Sequence, residues 1–303
     1  CTKMKFNNLT LTASGKARAF IEAKQLKTLW FNTGTLCNLT CKNCYIESSP
    51  TNDRLSYLSF DEYLSFIDEA KKQNFNLTEI GFTGGEPFLN KDFPKMLNHA
   101  AQQNVDVLVL TNAMKPMLNK KSELLNIPKE RLTFRVSIDH VDPKKHEAIR
   151  GQNSYEPMIE GLEWLRDNHF KMSLATRLMW DESEAQTRKD FKAFILKHDL
   201  PIDAASTKDL VTFTEMDVKQ DTPEITTECW TILNKNPESI MCSSSRMIVK
   251  KKGNEKPSVI ACTLLPYDEA FDLGSTLEQS MQKIYLNHPH CSKFCVLGGS
   301  SCS

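Results

Sequence analysis

Three cysteines in the first sixth of the chain have the spacing of metal ligands. Cys37, Cys41 and Cys44 lie within the eight residues CNLTCKNC. Three thiolates on one short loop can bind three irons of a cubane iron–sulfur cluster and leave the fourth iron open to a bound molecule. The same spacing also suits a zinc ion that takes a fourth ligand from elsewhere. A second motif, GGEP at residues 84–87, follows downstream.

Both motifs directly follow segments that have the character of β-strands. The first strand is predicted at residues 27–35, before the cysteines, and the second at residues 78–83, before the glycines. The carboxyl ends of parallel strands are where α/β proteins place their chemistry. With these two motifs in this order, the sequence resembles the radical S-adenosylmethionine (radical SAM) enzymes, whose cluster loop has the form CxxxCxxC and whose second strand ends in GGEP.

The resemblance implies a specific chemistry for the cysteine loop. It implies that Cys37, Cys41 and Cys44 hold a 4Fe-4S cluster whose open iron is chelated by the amino and carboxylate groups of S-adenosylmethionine. An electron from the cluster then breaks a sulfur–carbon bond, and the resulting 5'-deoxyadenosyl radical removes a hydrogen atom from substrate. Two alternatives stay open at this point: an iron–sulfur electron-transfer protein and a zinc-binding structural or interaction protein.

The GGEP motif is expected to contribute to cofactor binding. Gly84 and Gly85 lack a Cβ, which lets the backbone approach a ligand closely. Glu86 is expected to accept a hydrogen bond, and Pro87 fixes the exit of the turn.

The cysteine loop departs from the family at one position. The residue before the third cysteine is commonly aromatic in radical SAM enzymes and lies near the adenine, but here it is Asn43. Tyr45 follows the third cysteine. It either takes over part of that contact or packs beneath the loop.

Polar residues at the ends of later strands are further candidates for contacts with S-adenosylmethionine. The segment of residues 146–151, HEAIRG, resembles the HxxxRG segment of many peptide-modifying members. Either of two arginines can pair with the carboxylate in a bidentate fork. The alternatives are that the polar residues satisfy strand ends and that the first arginine is a helix C-terminal charge. The candidates are Thr111, Asn112, Ser137, Asp139, Arg150 and Arg177, with His140 and His146 as acid–base groups or ordinary solvated histidines.

The middle of the chain alternates strand-like and helix-like segments. Ser59 and Glu62 form a capping box, and Tyr63, Phe66, Ile67 and Ala70 recur on one face of the helix that follows. Further strands are predicted at 105–111, 131–139, 171–178 and 204–213, and further helices at 91–103, 119–125, 155–168 and 183–198. Six βα units with right-handed crossovers predict an α/β fold with a partial (βα)6 TIM-like barrel that does not close.

The C-terminal region holds a second group of cysteines. Residues 246–260 predict a β-hairpin that turns at Gly253 and Asn254, and a helix is predicted at 277–286. Cysteines flank the hairpin and recur at the C-terminus. This arrangement resembles the SPASM and shorter twitch extensions of radical SAM enzymes, which bind auxiliary 4Fe-4S clusters. The predicted division is an N-terminal extension (1–26), the barrel (27–215) and a small α+β iron–sulfur domain (216–303).

Five cysteines in this region imply one auxiliary 4Fe-4S cluster, because the full SPASM pattern has seven cysteines and two clusters. A structural zinc site with the same thiolates is the alternative. Cys229 lies outside both groups; it is either a hydrogen-atom donor to a substrate radical or a packed cysteine. The favoured cluster ligands are Cys242, Cys262, Cys291 and Cys295, with Cys302 as the alternate for Cys295.

Composition limits the partners. The 38 basic and 38 acidic residues balance, so no general affinity for nucleic acid or an anionic membrane is expected. No apolar run approaches the roughly 20 residues that span a bilayer, and cysteine clustering fits a reducing compartment, so a cytoplasmic location is predicted.

The resemblance implies a peptide or small-molecule substrate and an electron donor such as flavodoxin or ferredoxin. The 26 residues before the first strand are too few for the leader-binding domain of many peptide modifiers, which weakens the peptide alternative.

Overall fold

The computed structural model describes residues 4–215 and 221–298. These residues form an α/β fold with an eight-stranded sheet and a separate two-stranded one. The strands are β1 (Phe20–Ile21), β2 (Thr28–Asn32), β3 (Glu79–Thr83), β4 (Asp106–Thr111), β5 (Leu132–Ser137), β6 (Lys171–Leu178), β7 (Leu210–Thr214), β8 (Ser245–Val249), β9 (Ser258–Ile260) and β10 (Ile284–Tyr285). The helices are α1 (Phe60–Lys72), α2 (Phe93–Ala101), α3 (Lys115–Leu118), α4 (Lys121–Leu125), α5 (Pro143–Arg150), α6 (Tyr155–Asp167), α7 (Glu184–Lys197) and α8 (Cys229–Ile232), and a π-helix covers Cys291–Leu297.

Strands β2 to β7 are parallel neighbours in sequence order, with at least one helix in each connection. The eight-stranded sheet has the order β7-β6-β5-β4-β3-β2-β8-β9, so β7 and β9 are its edges. The register pairs Thr28 with Glu79 and Asn32 with Thr83, which brings the ends of β2 and β3 level. The predicted partial (βα)6 barrel is confirmed.

Helix α1 forms where its local sequence predicts it. The Ser59 hydroxyl accepts a hydrogen bond from the backbone N–H of Glu62, and the Glu62 carboxylate accepts one from the backbone N–H of Ser59. The four side chains predicted for its apolar face, Tyr63, Phe66, Ile67 and Ala70, are buried. They pack against alternate residues of β2 and β3, including Phe31 and Phe82, on the outer side of the sheet.

The C-terminal hairpin is continuous with the barrel sheet. Strand β8 pairs in parallel with β2, and β9 pairs with β8 in the predicted antiparallel manner. Part of the predicted N-terminal extension also joins this region, because Phe20 and Ile21 of β1 pair with β10. The domain boundary after residue 215 stays a prediction, since residues 216–220 lie outside the described part of the chain.

The helix predicted at residues 277–286 is wrong. Residues 277–280 form a turn, and β10 follows within the predicted helix. In a helix, the carbonyl of Ser280 would accept from the N–H of Ile284. Here it accepts two hydrogen bonds from the guanidinium of Arg246, from Nε at 3.2 Å and Nη2 at 2.9 Å. Ile284 pairs with Ile21 of β1, so it lies in a strand and not in the predicted helix.

The inner side of the barrel is partly filled by Trp30 of β2. Its indole lies across Gly81 of β3, where an added Cβ would come within 2.4 Å of the ring. Trp30 therefore occupies part of the barrel interior and lines the cavity described below. In residues 4–215 and 221–298, no helix has both the length and the apolar character needed to cross a membrane.

Candidate active site

The three cysteines of the predicted cluster loop follow the carboxyl end of β2. The loop is anchored at several backbone positions. The N–H of Cys37 donates to the carbonyl of Ser49 at 3.0 Å, and the N–H of Lys42 donates to the carbonyl of Ile149, at the end of α5, at 2.8 Å. The C-terminal region contributes another anchor, because the Tyr267 hydroxyl donates to the carbonyl of Ile46 at 2.7 Å.

The glycine pair packs against the chain that leads into this loop. Gly84 has a φ of +145°, and a Cβ there would lie 2.6 Å from the carbonyl oxygen of Gly34. A Cβ on Gly85 would lie 2.1 Å from the carbonyl oxygen of Leu36. Both glycines also line the cavity described below. The close approach that requires them is thus to the backbone just before Cys37, a different reason from the ligand contact expected from the sequence.

Glu86 lies behind the cavity and fixes the end of β4. Its carboxylate accepts hydrogen bonds from the Thr111 hydroxyl at 2.9 and 3.0 Å and from the N–H of Asn112 at 2.9 Å. The N–H of Phe88 also donates to it, at 3.3 Å. Burial raises the pKa of Glu86 to about 7, although these hydrogen bonds oppose the rise. The expectation that Glu86 acts as an acceptor agrees with this geometry, and the donors are groups of the protein.

The amide of Asn112 connects this network to the cysteine loop. Its Nδ2 donates to Oδ1 of Asn38 at 2.9 Å and lies 4.0 Å from Sγ of Cys37. Cys37 is buried, and burial raises the pKa of its thiol to about 12. A metal that binds this sulfur must displace the proton, so loading of the site releases protons.

Asp139, one of the polar strand-end candidates from the sequence, also lines the cavity. It lies just beyond β5 and is almost fully buried. Its carboxylate accepts from Nε of Arg150 at 2.8 Å, from Nε of Arg177 at 2.8 Å and from Nη2 of Arg177 at 3.0 Å. Burial opposes its ionisation, but the two guanidinium groups outweigh this and hold the pKa of Asp139 below its usual range.

The two arginines are therefore already paired within the protein. Arg177 also donates through Nη1 to the carbonyls of Lys42 and Asn43, at 3.1 and 3.0 Å. It thus joins the end of β6 to the middle of the cysteine loop. Both Arg150 and Arg177 line the cavity, so any contact with a bound carboxylate would come from a guanidinium that Asp139 orients.

These side chains surround one cavity of about 200 Å³ at the carboxyl ends of the strands. The sequence did not single out Trp30 of β2, Arg135 of β5 or Leu264 of the C-terminal region, which also line it. Glu86 and Pro87 are not among its lining residues. The predicted site residues that it brings together are Cys37, Cys41, Cys44, Tyr45, Gly84, Gly85, Thr111, Asn112, Ser137, Arg150 and Arg177.

The donor set fits an iron–sulfur cluster with a bound organic ligand. Three thiols line the cavity together with hydroxyl, amide and guanidinium groups, and apolar side chains make up much of the remaining lining. In the described residues, no three Cys, His, Asp or Glu side chains are grouped as ligands of a single metal ion. The thiolates of a cubane bind different irons and therefore stand further apart than the ligands of one ion.

The C-terminal cysteines meet at a second cavity. Cys242, Cys262, Cys291 and Cys295 all line it, and the free space between them is about 20 Å³. That space holds about one water molecule, so a cubane requires the thiol side chains to turn or the walls to part. The remaining walls are mostly apolar, and Leu264 lines both this cavity and the first one. Cys302 lies outside the described residues.

The other sequence candidates lie away from the two cavities. Cys229 lies at the start of α8. Its sulfur accepts a hydrogen bond from the N–H of Thr226 at 3.4 Å and also lies 3.4 Å from the Thr226 hydroxyl. His140 contacts the carboxylate of Glu182. His146 is only 1% exposed, and burial lowers its pKa to about 4. It is therefore neither a solvated histidine nor a side chain that lines the active-site cavity.

Comparison with known proteins agrees with this geometry. The model of the Radical SAM superfamily matches residues 31–193. The antilisterial bacteriocin subtilosin biosynthesis protein AlbA of Bacillus subtilis (strain 168) is 29% identical over 182 residues, which are 58% of this chain and 39% of AlbA. The S-adenosylmethionine-dependent nucleotide dehydratase of Selenomonas ruminantium is 29% identical over 123 residues, 41% of this chain and 43% of that protein. The matches thus span less than half the length of these relatives.

Solved structures share the fold. Streptococcus suis SuiB bound to its precursor peptide SuiA has a TM-score of 0.60 and 13% identity, over 92% of this chain and 67% of that one. At this identity the likeness concerns the arrangement of strands and helices.

Proposed function

The chain belongs to the radical SAM superfamily, and we propose that Cys37, Cys41 and Cys44 hold the 4Fe-4S cluster of a radical SAM enzyme. The observation that supports this assignment is the convergence of the three thiols, the glycine pair and the polar strand ends on one cavity of about 200 Å³. When bound there, the cluster and S-adenosylmethionine supply the electron transfer and the radical that removes hydrogen from substrate.

The residues of this chain hold and orient the reacting groups. Arg177 binds the loop carbonyls beside Cys41 and Cys44, which fixes the thiols relative to the strand ends. Glu86 orients Thr111 and Asn112 from behind. Tyr45, Ser137 and Arg150 line the same cavity, and we propose that they would contact the nucleoside and methionine portions of S-adenosylmethionine.

We further propose that Cys242, Cys262, Cys291 and Cys295 bind one auxiliary 4Fe-4S cluster. All four line one cavity in apolar surroundings, and Leu264 alone is common to that cavity and the active-site cavity. An auxiliary cluster at this position is near enough to assist oxidation or to form part of the substrate site. A zinc ion on the same four thiolates is the rival, and metal analysis separates the two.

The substrate class that we propose is a peptide, with a small metabolite as the alternative. AlbA is named for bacteriocin biosynthesis, and SuiB was crystallised with a precursor peptide, whereas another relative is a nucleotide dehydratase. A third cavity, of about 1730 Å³, lies largely at the amino ends of the barrel strands, where Glu79, Asp106 and Lys171 line it, and it shares Arg135 and Phe213 with the active-site cavity. The electron donor proposed is a flavodoxin or ferredoxin.

The test is the content of iron and labile sulfide after anaerobic reconstitution, together with formation of 5'-deoxyadenosine under a strong reductant. We expect about eight irons per chain in the wild type and about four in the triple variant with alanine at Cys37, Cys41 and Cys44. That variant should form no 5'-deoxyadenosine. Cys229→Ala is the matched control, because it removes a thiol outside both cavities and should leave the iron content unchanged.

The outcomes separate the alternatives. Full 5'-deoxyadenosine formation by the triple variant would refute the assignment of the cysteine loop. Iron retained without any cleavage of S-adenosylmethionine by the wild type would favour an electron carrier. About four irons in the wild type, none in the triple variant, and zinc retained would make the C-terminal site structural.

A further inference from the structure

Arg246 of β8 is a buried cation without an anionic partner in the described residues. Its side chain donates to three backbone carbonyls: Ser280 at 3.2 and 2.9 Å, Cys242 at 2.7 Å and Ser245 at 2.6 Å. The residue is 1% exposed. Among residues 4–215 and 221–298, no Asp or Glu forms an ion pair with it, and the titratable side chain that interacts with its charge is the thiol of Cys242.

The other fully buried arginine in the described residues, Arg18, is paired with a carboxylate, as buried cations usually are. Arg18 is also 1% exposed, and its Nη2 lies 2.7 Å from a carboxylate oxygen of Glu224, whose side chain is 6% exposed. An ionised group in a low-dielectric interior requires an opposite charge or a full set of hydrogen bonds. Arg246 has the hydrogen bonds but lacks the opposite charge, even though it lies in the same type of surroundings.

The position of Arg246 indicates which group can supply the missing negative charge. Its Nη1 binds the carbonyl of Cys242, one of the four cysteines that line the second cavity. A cubane held by four thiolates is a net anion, and one-electron reduction makes it more negative. Apart from the thiols, that cavity is lined mainly by apolar side chains, which screen the interaction poorly.

We propose that Arg246 is the internal counter-charge of the auxiliary cluster and raises its reduction potential. This inference rests on the proposed auxiliary cluster. The positive charge would stabilise the reduced cluster more than the oxidised one. It would therefore favour the transfer of one electron to the cluster from the substrate radical that hydrogen abstraction leaves, and the arginine would take up no proton. Arg246 is a positioning residue as well, because the same guanidinium holds the carbonyl of Cys242.

The test is a redox titration of the full chain, followed by the electron paramagnetic resonance of the reduced auxiliary cluster. The triple alanine variant of Cys37, Cys41 and Cys44 serves as background, so that one cluster remains. We expect Arg246→Gln to disfavour reduction at least tenfold, a shift of about 59 mV to more negative potential for one electron. Arg246→Lys, which keeps the charge, should shift the potential much less.

Lys252→Gln is the matched control for the loss of one positive charge. Lys252 lies in the turn of the same hairpin, is largely exposed and pairs with Asp53, so solvent should screen its effect on the potential. If Arg246→Gln does not retain iron, Arg246→Met is measured in its place. Methionine also removes the charge but keeps a long apolar side chain. If both neutral variants lose iron and Arg246→Lys retains it, the result would also support a role for the positive charge.

Two results would overturn the proposal. One is full iron content with an unchanged potential in Arg246→Gln. The other is an equal shift, or equal loss of iron, in Arg246→Lys and Arg246→Gln, which would mean that the fork of hydrogen bonds matters and the charge does not. A wild type that holds about four irons, none of them on the C-terminal cysteines, would instead refute the auxiliary cluster itself.

Discussion

Asn in place of Asp139 should destabilise the protein strongly, although it keeps the size of the side chain. The wild-type carboxylate receives three hydrogen bonds, at 2.8, 2.8 and 3.0 Å, from Arg150 and Arg177. The exposed fractions of the three side chains are 1%, 14% and 16%. Removing one partner of such a buried group leaves two guanidiniums uncompensated, at a cost of about 3–5 kcal/mol. We expect the free energy of unfolding of Asp139→Asn to fall by that amount.

The measurement is urea unfolding of the cluster-free proteins, with Asp142→Asn as the matched control. Asp142 caps α5 by accepting from the N–H of Lys145 at 3.0 Å, is exposed, and asparagine is an equally good cap. The control should lose less than about 1 kcal/mol. If Asp139→Asn loses no more than Asp142→Asn does, the reasoning about the buried triad is refuted.

The effect has a defined pH dependence. The pKa of Asp139 in the folded protein lies below its usual range, so its contribution is present above the unfolded pKa of about 3.9 and is lost as the pH falls through the folded value. The difference in unfolding free energy between the wild type and Asp139→Asn should therefore be constant near neutral pH and shrink in acid below about pH 4.

Three further predictions follow from single contacts. Gly85→Ala should prevent folding or cost more than Gly253→Ala, since a Cβ at Gly85 meets a backbone carbonyl at 2.1 Å. A Cβ at Gly253 meets nothing within 4 Å, so that variant carries only the cost of its φ of +85°, about 1–2 kcal/mol; circular dichroism and urea unfolding measure both. Glu86 has its pKa raised to about 7, above about 4.3 in an unfolded chain, so its contribution to stability is greatest below about pH 4.3 and declines as the pH rises through 7. Glu86→Gln should remove that decline from urea titrations made between about pH 5 and about pH 8, and a decline that persists would contradict the assignment. Tyr267→Phe should lose about 1 kcal/mol of unfolding free energy with its hydrogen bond to the cysteine loop, while Tyr267→Ala, which also removes the ring beneath Arg54 at 3.6 Å, should lose more.

Elements whose signals are local were predictable from the sequence. Helix α1 needs only the Ser59 and Glu62 capping box and one apolar face, and β6 lies at the predicted residues 171–178. The helix expected at 277–286 fails because Arg246, distant in sequence, takes the carbonyl of Ser280. No periodicity within the segment carries that information.

The candidate site divides in the same way. Motifs at strand ends could be placed together in advance, because parallel strands bring their carboxyl ends to one edge of the sheet. The contacts that those residues make could not be predicted in advance. The carboxylate of Asp139 binds two arginines that were expected to face a ligand, and Gly85 makes room for the backbone of Leu36. Both depend on which chain segment fills the neighbouring space.

The departure at Asn43 can now be given a physical reason. Asn43 has a φ of +55°, in the left-handed region that asparagine tolerates far better than a bulky aromatic residue does. Its Nδ2 donates to a carboxylate oxygen of Glu215 at 2.9 Å, and its own carbonyl accepts from Arg177. This side chain is therefore committed to holding the loop beyond β7. Tyr45, two residues later, is the aromatic side chain of this loop that lines the cavity in the described residues.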